Sequence, residues 1–69
     1  MNKGEKLMNA IISPGSNKVV ANAADLFGAE RVISGGFREP IHINGLTSDE
    51  ISFAKEYFEE QQLKVTIEA

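Results

Sequence analysis

A chain of 69 residues, with no cysteine, one histidine and a formal charge of −3, is bounded on several sides at once. It is long enough for one domain with a small core, and it carries neither a disulfide nor a thiolate metal site. One histidine argues equally against a structural zinc, so no metal and no cofactor is expected.

The remaining way to reinforce so small a core is self-association, and a homo-oligomer is expected. Ten acidic against seven basic residues argue against nucleic acid or an anionic membrane as partner. No apolar run reaches membrane-spanning length, and the first residues lack the apolar core and cleavage site of a secretory signal. A cytoplasmic chain is the expectation.

Residues 1–6 are polar and read as a lead-in to a single domain over 7–69. Residues 7–12 predict the first strand. Met8, Ala10 and Ile12 share one face; Leu7, Asn9 and Ile11 share the other. Both faces are partly apolar, which suits a central or doubly covered strand. Residues 13–17 turn into a helix, with Ser16 as N-cap and Asn17 or Ser13 as alternatives. The helix runs to Phe27. Val19, Val20, Ala23, Ala24, Leu26 and Phe27 form its broad apolar face, and Gly28 is placed to end it. Residues 31–34 predict a second strand, with Val32 and Ile33 on opposite faces.

Two glycines and a proline within residues 35–40 mark a hairpin loop. The third strand enters through Pro40 and alternates Ile41, His42 and Ile43 before Asn44-Gly45 breaks it. Thr47-Ser48-Asp49-Glu50 is a capping box that opens a helix over 48–62. Ile51, Ala54 and Phe58 centre its apolar arc, which Phe53 and Tyr57 extend on one side. All five read as core; the alternative is that Phe53 and Tyr57 rim a second contact. Residues 63–67 alternate cleanly and predict the last strand.

The order β-α-β-β-α-β predicts an α+β, ferredoxin-like domain, a four-stranded antiparallel sheet with two helices on one face. Leu7, Ile11 and Ile33 then fall on the open face with Lys64 and Thr66, a second reason to expect a dimer.

Two ligand-binding segments stand out. Ser13, Gly15, Ser16 and Asn17 open a helix, where free amides and the dipole favour an anion. The ordinary strand-to-helix turn is the plain alternative, and P-loop spacing is missing. Gly35, Gly36, Phe37 and Arg38 offer backbone access, a ring to stack and a guanidinium to grip. The alternative there is Phe37 folded over the sheet as a lid. His42 alternates with isoleucines and points away from their face. The other candidate surface is a partner-binding one: Phe53 and Tyr57 with the acidic side chains Glu56, Glu59 and Glu60, where a solvated acidic face is the plain alternative. No nucleophile, base and orienting group come together in the sequence, so no catalytic residue is assigned and no enzyme is expected.

The order of elements matches RNA-recognition motifs, but Gly36-Phe37-Arg38-Glu39-Pro40-Ile41 departs from their aromatic signature, and that family is set aside. Pro14-Gly15 after a first strand, an alanine- and valine-bearing helix, and Gly28 before a second strand together resemble the opening of ACT-type regulatory domains. The resemblance covers residues 8–33. It departs at Ser16, where an apolar residue usually stands, and in lacking an acidic residue before the turn. It implies a domain that pairs and binds amino acids or similar small ligands at Ser13, Pro14, Gly15, Ser16 and Asn17.

The function expected from all this is non-catalytic: sensing or sequestration of a small anionic or zwitterionic ligand, such as a nucleotide or amino acid. The alternative is a small protein-binding inhibitor or adaptor, acting through an exposed sheet edge or the acidic second helix.

Overall fold

The structure is a computed structural model and describes residues 6–34 and 38–68. Alternation of apolar and polar residues gives strand β1 (Met8–Ser13), with Ala10 and Ile12 inward. Helix α1 (Asn17–Phe27) follows a turn in which the Ser16 hydroxyl accepts from the Val19 amide at 3.2 Å, so Ser16 is the N-cap. Gly28 ends α1 at φ 101, a backbone state that suits glycine. Next comes a single 3₁₀ turn (Ala29–Arg31) that the sequence did not signal, and strand β2 (Val32–Ser34) starts one residue later than expected.

Strand β3 (Ile41–Leu46) does not stop at Asn44-Gly45, as the expected break there implied. The pairing with β1 jumps from Ala10↔Ile43 to Met8↔Leu46, which leaves one extra residue on β3. This is a β-bulge, with Gly45 at φ 70 and its amide donating to Asn9 Oδ1 at 3.1 Å. The extra residue restores the inward phase: Ile41, Ile43 and Leu46 are all fully buried.

Helix α2 (Ser48–Glu59) opens on the expected capping box. Thr47 Oγ1 accepts from the Glu50 amide at 3.2 Å, and Glu50 Oε1 accepts from the Thr47 amide at 2.9 Å. It ends three residues before the expected 62. The Leu63 amide donates to the Phe58 carbonyl at 3.1 Å, and the Gln62 amide to Glu59 at 2.9 Å. That is a Schellman turn with Gln62, at φ 66, in the place glycine usually takes. Strand β4 (Lys64–Glu68) completes the fold.

The sheet is antiparallel throughout, in the order β2-β3-β1-β4. β1 is central, as its two partly apolar faces implied. Ala10, Ile12, Ile41 and Ile43 share one face of the sheet. They form a single buried cluster with Val19, Ala23 and Phe27 of α1 and Ile51, Ala54 and Phe58 of α2. Both helices therefore pack on that face. Three of the buried residues are alanines, which lets the helices lie close to the strands.

Candidate functional site

The first expected site joins two parts of the chain that the fold brings into contact. Ser13 closes β1, and Asn17 begins α1 with its side chain exposed. Between them Gly15 is buried, and a Cβ there would run into the Glu39 carbonyl oxygen and lie 3.1 Å from Ile41 Cγ1. The close approach that glycine permits is thus filled by the chain's own backbone where it enters β3. The Ser16 hydroxyl is committed to its cap. The first turn of α1 contains no acidic side chain, so the positive end of its dipole has no carboxylate from its own turn. Arg38 is exposed at φ 66. Gly35, Gly36 and Phe37 lie outside the described residues.

The second surface is the outer arc of α2. Ile51, Ala54 and Phe58 are core, but Phe53 is 46% exposed and Tyr57 only half-buried, so the reading of all five as core fails. The reason is the neighbouring helix. The Phe53 ring meets the Phe27 ring of α1 in a T-shaped contact, with centroids 6.2 Å apart at 70°. It stacks on Tyr57 at 5.8 Å and 22°, and Tyr57 stands edge-on to the buried Phe58 at 5.0 Å. An aromatic chain therefore runs from the core to the surface, and Phe53 is its exposed link. Leu26, expected in the apolar face of α1, is 39% exposed and belongs to the outside of the helix layer. Glu56, Glu59 and Glu60 are exposed. Glu56 and Glu60 follow Phe53 by three and seven residues and share its arc; Glu59 falls on another flank.

The sheet face away from the helices carries a cross-strand row of Ile33, His42, Ile11 and Thr66. Ile33 is exposed, while His42 and Ile11 are half-buried. Leu7, just before β1, is also exposed.

An ion pair ties the 3₁₀ turn to the start of α2. Arg31 Nη1 lies 2.9 Å from Glu50 Oε2, while the other Glu50 oxygen serves the cap. The Thr47 backbone amide, opposed by desolvation and joined by the hydrogen bond and charge of the Arg31 guanidinium, holds the Glu50 carboxyl below its ordinary value of 4.5. The capping box announced Glu50. Nothing in the sequence announced Arg31, which the unforeseen 3₁₀ turn carries into place.

Among the described residues no group of three or more acidic or histidine side chains is placed to hold a metal ion, and no helix is long and apolar enough to cross a membrane. No protein-family model matches this chain, and no curated protein or solved structure matches it at a significant level.

Proposed function

We propose that this chain is a non-catalytic binding domain of the cytoplasm that docks a protein partner through the outer arc of α2. The observation that carries the reading is Phe53. An aromatic ring nearly half exposed, braced from below by Tyr57 and flanked by Glu56 and Glu60, is costly to leave in water and well made for a contact. The complementary surface is an apolar pocket rimmed by lysine or arginine. The order of elements and the strand order β2-β3-β1-β4 support a ferredoxin-like scaffold, whose helix layer presents that arc on a rigid support.

The test is crosslinking capture from the native host with three baits: the wild type, Phe53→Ala, and Glu56→Lys with Glu60→Lys. A protein recovered on the wild type and lost on both variants supports the reading. Equal recovery on all three refutes it.

A second reading is the binding of a small anionic ligand, such as a nucleotide or amino acid, at the junction of the 13–17 turn with the return arm of the hairpin. It is the ACT-like reading. What favours it is the contact of Gly15 with Glu39 beside a helix start that has no acidic side chain of its own. Thermal shift with nucleotides and amino acids checks it, since a ligand of the folded state alone raises the midpoint. Arg38→Ala should abolish any such shift.

A further inference from the structure

We propose that two copies of this chain pair β4 to β4 about a two-fold axis through Thr66, forming one continuous sheet of eight strands. The inference goes beyond the α2 reading and does not depend on it, because it uses a different surface.

β4 is an edge strand, paired on one side with β1 only. An antiparallel strand turns every second set of backbone N–H and C=O groups away from its partner, so the outer side of β4 is a template for another strand. The other edge, β2, is only three residues long. β4 has five residues, with no proline, and pairs with β1 without a register break.

The sequence of β4 is self-complementary in one register. Its residues alternate: Lys64, Thr66 and Glu68 are exposed, while Val65 and Ile67 are half-buried against the core cluster. Antiparallel pairing centred on Thr66 places Thr66 opposite Thr66, Val65 opposite Ile67, and Lys64 opposite Glu68, twice by symmetry. Moving the centre to Val65 sets Lys64 opposite Thr66, and moving it to Ile67 sets Glu68 opposite Thr66, so neither register pairs the two charges. A shift that brings Lys64 opposite Ile67 would turn the second sheet over, which a two-fold axis perpendicular to the sheet does not allow.

Charges on edge strands commonly serve to prevent pairing. Like charges at 64 and 68 would do that here. Opposite charges spaced evenly about Thr66 do the reverse. Val65 and Ile67 are also only half-buried against the core at this edge, and a second copy covers them further.

Sedimentation velocity from about 10 μM to about 1 mM spans the range in which a weak interface declares itself. The wild type is expected to shift from monomer to dimer across it. Lys64→Glu and Glu68→Lys, each alone, set like charges opposite one another twice per dimer, and each should raise the dissociation constant about tenfold. The two changes made together exchange the partners and should restore the constant to within about threefold of the wild type. Thr66→Lys places two ammonium groups at the axis and should leave only monomer. All three positions are exposed, and circular dichroism with thermal melting confirms that each variant folds. Monomer alone at every wild-type concentration overturns the proposal. So does a dimer indifferent to the single reversals, or one that the double exchange does not restore.

Discussion

Replacing Gly15 with alanine tests the contact that joins the two halves of the chain. The added methyl has no way out: it would meet the Glu39 carbonyl oxygen, which is backbone, and stand 3.1 Å from Cγ1 of the fully buried Ile41. Overpacking of this kind costs about 1–3 kcal/mol, and a backbone obstacle puts it near the top of that range. Stiffening the unfolded chain returns about 0.4–1 kcal/mol, for a net loss of about 2 kcal/mol. A domain of this size holds about 3–10 kcal/mol in all. The melting midpoint should therefore fall by about 8–16 °C, read by far-ultraviolet circular dichroism at neutral pH. Gly45 is the internal contrast, because a Cβ there meets nothing within 4 Å and only the positive φ of 70 opposes it. Gly45→Ala should cost about 1 kcal/mol and Gly45→Asn clearly less, since asparagine tolerates that backbone. Gly15→Asn should rescue nothing. A midpoint for Gly15→Ala at or above that of the wild type would mean that the 13–17 turn does not rest on Glu39.

Acid should weaken the tie at Glu50. Its carboxyl titrates below its ordinary value in the folded chain, so its contribution is complete above the unfolded value and is lost as pH falls through the folded one. Glu50→Gln, which keeps an acceptor for the Thr47 amide, should be less stable than the wild type near neutral pH, with the gap closing below about pH 4.5. Urea titrations at several pH values read this, and a gap that widens in acid contradicts it. Phe58→Ala empties a fully buried site and should cost about 3–5 kcal/mol, whereas Phe53→Ala should cost about 1 kcal/mol or less. Equal losses would place Phe53 in the core. Gln62→Gly relieves a non-glycine residue at φ 66 and should raise stability by about 0.5–1 kcal/mol, visible as a higher urea midpoint; a lower midpoint would deny the Schellman turn.

The second half of the chain was the more legible because its signals are chemical as well as periodic. Thr47 and Glu50 form a reciprocal cap that needs no tertiary partner, and Lys64 to Glu68 alternate without interruption. What escaped the sequence was geometry decided elsewhere. Asn44-Gly45 looks like a strand end, and becomes a bulge because β1 offers Asn9 to hold the displaced amide. Gln62 gives no stop signal, and the helix stops because Leu63 returns a hydrogen bond to Phe58. Phe53 has the spacing of a core residue, yet its contact with α1 is a T-shaped pair with Phe27 and it stays nearly half exposed. The 13–17 turn shows the same limit. That Gly15 serves close approach was legible; that Glu39 makes the approach was not.

The two surfaces proposed here have a joint consequence, because a two-fold axis perpendicular to a sheet keeps both helix layers on one side of it. In a β4-paired dimer both copies of α2, packed on β4 and β1, stand on the same face of the extended sheet, so both Phe53 rings lie on that face. A partner that offers two sites, or one immobilised densely, then meets two arcs at once and gains from effective concentration without any new contact. Thr66→Lys removes the second arc and leaves the first untouched, so it should weaken binding to such a partner while binding to a single-site fragment stays unchanged. Surface plasmon resonance at high and low partner density separates the two cases. If Thr66→Lys binds the dense surface as tightly as the wild type, the arcs work singly and the pairing of β4 serves stability alone.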